Sequence, residues 1–265
     1  MKKFLTVLAV FAAALVAHGK IVTKTVPYEH DGVKLDGYLA YDDSWKSGRA
    51  GVLVFGEWWG LNDYAKNRAE ALAKLGYVAF VGDMFGDGLS TEDATKARKL
   101  AGQFYGKPIM ATRAKAALDT FIKTGLVDEN RIVAIGYCFG GTVCQALAYS
   151  GASLVGVVTF HAGLIPAPID SMKETHPKFL IMQGALDPMV SPDDIRGFKQ
   201  ALDDAKVDYQ FILYSGAVHA FTNPDADRLC AKNGLKGIGY NENAARRSWQ
   251  EMQTFFDELF GHHKK

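Results

Sequence analysis

Cys138 stands in the run Gly136-Tyr137-Cys138-Phe139-Gly140-Gly141, directly after the apolar stretch Arg131 to Ile135 and directly before a helical pattern. Strand, sharp turn and helix in that order, with the smallest residues two before and two after the reactive one, make a nucleophile elbow, here with cysteine where serine is common. The turn would lift the thiol above the sheet edge at a helix N-terminus. The partial positive charge there favours a thiolate, and the free N–H groups can bind a developing oxyanion. Such a thiol attacks an acyl carbon and needs a base to take its proton and an acid to orient that base. On an elbow the partners follow in the chain order nucleophile, Asp or Glu, then His. Asp187 lies in Gln183-Gly184-Ala185-Leu186-Asp187-Pro188 after the strand candidate Phe179 to Met182, and His219 lies beyond the strand candidate Tyr209 to Leu213. The order therefore assigns Cys138 as nucleophile, Asp187 as orienting acid and His219 as base.

Other residues compete for these roles. His161 precedes Asp187, which breaks the expected order; placed just after the strand candidate ending at Phe160, it is read as a substrate-binding residue, with strand-end packing as the alternative. Trp59, beside Trp58, divides in the same way between pocket wall and core, and is taken with His161 as substrate-binding. Asp187 before Pro188 could serve a turn alone. Cys144, inside the helix that follows the elbow, is expected to pack against the sheet, and Cys230 to be a loop thiol. Cys138, Cys144 and Cys230 show no CxxC spacing and no histidine completes a ligand set around them, so no metal is expected.

The elements that must hold these residues follow from periodicity. Short continuous apolar runs at Gly51 to Phe55, Tyr77 to Val81, Arg131 to Ile135, Leu154 to Phe160, Phe179 to Met182 and Tyr209 to Leu213 read as buried parallel strands. Helical patterns separate most of them, at Asn62 to Leu75, Thr91 to Phe104, Ile109 to Thr124, Phe139 to Ala148, Pro192 to Ala205 and Glu242 to Leu259. The alternation predicts an α/β fold, a mostly parallel sheet with helices on both faces. Ile21 to Tyr41 alternates weakly around glycines, as an antiparallel edge hairpin would, and Thr222 to Tyr240 reads as an irregular loop flanking the site. Gly76, Gly125 and Gly151 fall where helices need a left-handed cap.

With 265 residues, 48% of them hydrophobic, the chain can bury one sizeable core, and a single domain is expected over 20–265. Thirty basic residues against 29 acidic ones give a net charge of +1, which offers no footprint for nucleic acid or a membrane surface. Lys2 and Lys3 precede an apolar run from Phe4 to Val16 with Ala17 and Gly19 after it, the pattern of a signal peptide over 1–19. A periplasmic or secreted protein, free of the membrane after cleavage, is the expectation. Three cysteines in an oxidising compartment cannot all pair within one chain.

Taken together, Gly136 to Gly141, Gly184 to Pro188, Gly216 to Phe221 and Gly56-Glu57-Trp58-Trp59-Gly60-Leu61-Asn62 resemble the dienelactone hydrolase family, over about Lys34 to Phe260. The resemblance implies an α/β-hydrolase fold and hydrolysis of a small carboxylic ester or lactone through a Cys-His-Asp triad and a thioester, without a cofactor. It also implies that Glu57 contacts the Cys138 thiol and helps deprotonate it, and that the backbone N–H groups of Trp58 and Phe139 form the oxyanion hole. Family members acting on dienelactone hold its carboxylate with arginines, one of them shortly after the catalytic histidine. Asn223 stands in that neighbourhood here, and Arg98, Arg113 and Arg228 are the arginines that could substitute. Two other readings remain: a thiol redox or peroxide-sensing protein, with Cys144 near Cys138, and a non-catalytic ligand-binding protein on the same fold.

Overall fold

A computed structural model of the protein describes residues 19–44, 48–168 and 177–261. The expected signal peptide lies almost wholly outside the described residues. One sheet of eight strands organises the rest, in the order β1-β2-β4-β3-β5-β6-β7-β8. Its strands are β1 (Ile21–His30), β2 (Val33–Asp42), β3 (Arg49–Phe55), β4 (Val78–Val81), β5 (Val127–Tyr137), β6 (Gly156–Phe160), β7 (Lys178–Gly184) and β8 (Tyr209–Tyr214). The helices are α1 (Asp63–Lys74), α2 (Ala94–Ala101), α3 (Ile109–Lys123), α4 (Phe139–Tyr149), α5 (Pro192–Asp204), α6 (Ala226–Asn233) and α7 (Glu242–Phe260). From β4 to β8 every pairing is parallel, whereas β1 and β2 form the antiparallel hairpin at one edge and β2 joins β4 antiparallel.

The central strands are apolar throughout because both faces are covered. Every residue of β3 and β4 is buried, and β5 sends Ile132 and Ala134 to one face and Val133 and Ile135 to the other. Leu118, Phe121, Val143, Leu147 and Phe198 pack on the first face, drawn from α3, α4 and α5. Ala65, Ala69, Leu72, Met252, Phe255 and Phe256, from α1 and α7, pack on the second. Gly76, Gly125 and Gly151 all have positive φ (96°, 69° and 80°), as left-handed helix exits require. One element departs from the expectation: α6 forms inside the segment read as a loop. Its buried Ala226, Leu229 and Cys230 do fall at helical spacing, but Asp227, Arg228, Lys232 and Asn233 crowd the same eight residues and hide the pattern.

β5 ends where α4 begins, and the join leaves no space. A Cβ on Gly136 would come within 2.1 Å of the Gly140 carbonyl oxygen, and one on Gly140 within 2.1 Å of the Phe55 carbonyl oxygen. Both clashes are with backbone, which cannot swing aside. Gly140→Ala is expected to cost about 4 kcal/mol or more, or to abolish soluble folding, because the helix must back away from β3. Gly197→Ala, in α5 with nothing within 4 Å of its added Cβ, should instead gain roughly 0.5–1 kcal/mol from helix propensity. Paired thermal or urea unfolding curves check the contrast.

Candidate active site

Three strand ends deliver the expected residues to one edge of the sheet. Cys138 follows β5 with φ 52° and ψ −116°, a conformation that disfavours any side chain. It is held there by its own N–H donating to the Phe160 carbonyl (3.0 Å) and its carbonyl accepting from the Gly141 N–H (3.1 Å). Asp187 lies just past β7 and is buried; one carboxylate oxygen accepts from the Met189 N–H at 2.9 Å and the other sits 2.8 Å from His219 Nδ1. His219 lies past β8, and its backbone is fixed by a two-bond ladder with Gly237 and Gly239 (3.2 and 3.0 Å). Its other ring nitrogen, Nε2, is buried and, the Cys138 thiol apart, has no partner among the described residues; both His219 and Cys138 line one cavity of about 320 Å³. Burial works against a charge on the His219 ring, but its interactions with the Cys138 side chain and the Asp187 carboxylate outweigh it, so the ring is held above its ordinary pKa.

Glu57 also lines this cavity, at the end of β3. Its hydrogen-bond partner is the Asn223 side-chain amide at 2.6 Å, not the Cys138 thiol expected from the resemblance. The second carboxylate oxygen is buried without a partner. Burial pushes the Glu57 carboxyl up to about 7, against the opposing pull of the Asn223 amide, His219 and Arg68. Among the described residues no hydrogen bond occupies the backbone N–H of Trp58 or of Phe139, the two groups expected to form an oxyanion hole. Trp58, Trp59 and Phe139 all line the cavity.

His161 does not. It is fully buried, has φ 42°, and its Nε2 lies 2.6 Å from the Thr222 hydroxyl, so its expected contact with substrate is replaced by a place behind the cavity wall. Its ring meets the His219 ring edge-on at 5.3 Å between centroids, and burial drives its pKa well down, so it stands there as a neutral ring. The Thr222 hydroxyl also lies 2.7 Å from the Tyr64 hydroxyl, while the Thr222 carbonyl accepts from Arg68 at 2.7 Å. Arg68 is boxed by the rings of Tyr64, Tyr137 and Trp249. Thr222 thus ties down the turn that carries both His219 and Asn223. Tyr64, Arg68 and Thr222 escaped the sequence reading because nothing in their spacing marks a network closed across 158 residues of chain.

Further parts of the wall come from α2 and α6. Ala94 and Ala97 meet Leu229 and Trp59 in a small apolar cluster apart from the two main cores. Charge reinforces it: Glu92 pairs with Arg228 (2.8 Å) and Lys232 (2.6 Å), and Asn233 bonds both the Ala94 N–H and the Glu92 carbonyl (each 2.9 Å). Cys230 lines the cavity from α6, whereas Cys144 is fully buried among core side chains; all three cysteines are free. Among the described residues no group of acidic, His or Cys side chains is arranged to hold a metal ion.

The raised Glu57 pKa has a sign that can be tested. A carboxyl held up in the folded state contributes stability that is full below its unfolded value near 4.5 and is lost as pH rises to about 7. Glu57→Gln removes that contribution. The stability of the native chain relative to this variant should therefore fall by on the order of 3 kcal/mol between pH 4.5 and 7.5, read from urea unfolding at each pH. A flat difference would place the carboxyl at an ordinary pKa.

Comparison with known proteins agrees with this architecture. The family model described as the dienelactone hydrolase family matches residues 35–260. The protein usf of Aquifex pyrophilus is 28% identical over 239 residues, covering 88% of this chain and 97% of its own. Among solved structures, a dienelactone hydrolase-like promiscuous phosphotriesterase from metagenomic libraries superposes with a TM-score of 0.86 at 37% identity, over 92% of this chain and all of that one. A protein called m3DLH does so at 0.86 and 38%, over 91% of this chain and all of its own. The chain belongs to the dienelactone hydrolase family of α/β-hydrolases and is a carboxylic ester or lactone hydrolase.

Proposed function

We propose that the protein cleaves a small carboxylic ester or lactone through a Cys138-His219-Asp187 triad and a thioester intermediate. The observation that carries this reading is the strained elbow, which presents Cys138 to the same cavity as a histidine whose ring is already oriented by a buried carboxylate. His219 Nε2 takes the thiol proton, and the sulfur attacks the substrate carbonyl carbon. The carbonyl oxygen, now an oxyanion, is received by the N–H groups of Trp58 and Phe139. On collapse the carbon–oxygen bond breaks, the leaving alkoxide takes the proton from His219, and an acyl-Cys138 thioester remains. A water then gives its proton to His219 and adds to the thioester carbonyl; the acid leaves, and Cys138 recovers its proton. Throughout, Asp187 holds the ring in one tautomer and stabilises its charged form.

Glu57 tunes this cycle from the cavity wall. A carboxyl titrating near 7 can pass between neutral and charged forms as the thiol and imidazole exchange their proton. The redox alternative loses its expected partner, since Cys144 is sealed in the core and burial raises its thiol far above the ordinary range. A neutral phosphotriester, the substrate type named for the metagenomic relative, would meet the same nucleophile and the same walls. Export to the periplasm or beyond remains part of the proposal on the strength of the N-terminal sequence alone.

Hydrolysis of short-chain p-nitrophenyl esters by the purified protein should fall by roughly 10³-fold or more in both Cys138→Ala and His219→Ala, because triad members act as a unit. Iodoacetamide should inactivate the native protein by alkylating Cys138, located by peptide mass mapping. Turnover that survives in Cys138→Ala would move the nucleophile elsewhere.

A further inference from the structure

Resting on that assignment of the nucleophile, we infer that the cavity selects an uncharged ester with an apolar enclosed arm and rejects one carrying a carboxylate there. The cavity walls are the first ground for this. Beside Cys138 they include Trp58, Tyr105, Phe139, Met189, Leu229 and Ile238. An arm lying among them trades water for rings and aliphatic groups, which favours apolar surface and strongly disfavours an unpaired charge.

Asn223, Glu57 and His219 in the walls each already hold a partner. The Asn223 amide donates to Glu57 at 2.6 Å and its oxygen accepts from the Asp225 N–H at 2.9 Å, so Asn223 keeps one N–H for a substrate. Glu57 keeps one oxygen unsatisfied, and in its ionised form it repels a second carboxylate. His219 has one nitrogen on Asp187 and reserves the other for the thiol. Of these groups only the His219 ring takes a positive charge, and that charge is already answered by the Asp187 carboxylate and the Cys138 thiol.

Nor do the arginines supply one inside. Arg113 is buried under Phe104 and donates to the Met84 carbonyl, outside the cavity wall. Arg228 is paired with Glu92 and Asp225 on the surface of α6. Arg98 lines the cavity but is exposed, with its guanidinium over the Trp58 ring at 5.9 Å from the centroid. An ion pair made in water at such a rim is too weak to offset desolvation of a carboxylate in the interior. The size of the cavity, about 320 Å³, falls at the lower end of small-molecule sites, which commonly span roughly 300–1,000 Å³. It suits one aromatic ring or a short aliphatic chain.

Matched esters test the inference on the native protein. On the alcohol side, 4-(methoxycarbonyl)phenyl butyrate is set against 4-carboxyphenyl butyrate; on the acyl side, methyl phenyl adipate against monophenyl adipate. In at least one pair the carboxylate should lower kcat/KM by about 30-fold or more, and the ratio should be unchanged in Arg98→Ala. Both carboxylates turned over within that factor would overturn the inference, as would a loss of carboxylate turnover confined to Arg98→Ala. If no ester is hydrolysed, the triad reading fails, and the selectivity is still decided by binding. The same four compounds are then titrated against the tryptophan fluorescence of Cys138→Ala, where equal affinity of neutral and charged partners sinks the inference.

Discussion

The closeness of β3, β5 and α4 at the elbow is the constraint from which the rest of the site follows. Cys138 holds a conformation that costs a side chain roughly 1–3 kcal/mol, and it does so because the residues on either side leave it no other path. Gly136 and Gly140 let the helix start directly against the backbone of Phe55, and the Cys138 N–H is taken by Phe160 on the neighbouring strand. The same contact brings the end of β3, with Glu57 and Trp58, next to the thiol. Relaxing it would move the nucleophile, the proposed oxyanion donors and the buried carboxyl together.

Behind that contact lies a polar layer whose members depend on one another. Thr222 joins Tyr64, His161 and Arg68, and the residue after it holds Glu57 through a single amide. A low-dielectric interior makes each of these bonds strong and each missing one expensive. A neutral His161 beside His219 packs against the base without adding a second positive charge to the site. Half-buried Arg68, surrounded by rings, supplies positive potential toward Glu57 without bonding to it directly.

Much of this was legible beforehand because close packing leaves marks in sequence. The two glycines around Cys138, the apolar runs of β3 to β8 and the order of Asp187 and His219 each reflect a local requirement that only certain residues meet. The long-range pairings left no such mark. Asn223 looked like a missing arginine and proves to be the partner of Glu57 from 166 residues away. His161 was placed correctly at a strand end, but which side of the wall it occupies depends on the Thr222 turn, whose geometry periodicity does not encode. α6 was hidden for a related reason: its polar residues meet Glu92 and the surface of α2, so composition alone made a cavity wall resemble a loop.

The partial separation of that wall from the two main cores bears on how such a protein changes over evolutionary time. α2 and α6 pack on one another through a handful of side chains and surface ion pairs, while the groups proposed for bond breaking ride on the sheet. Substitutions at Leu229 or Ala226 can alter what fits above the thiol without disturbing Gly136, Gly140 or the Asp187 and His219 pairing. Recognition and reactivity are in this sense carried by different mechanical parts, and a lineage is free to exchange the first while inheriting the second intact.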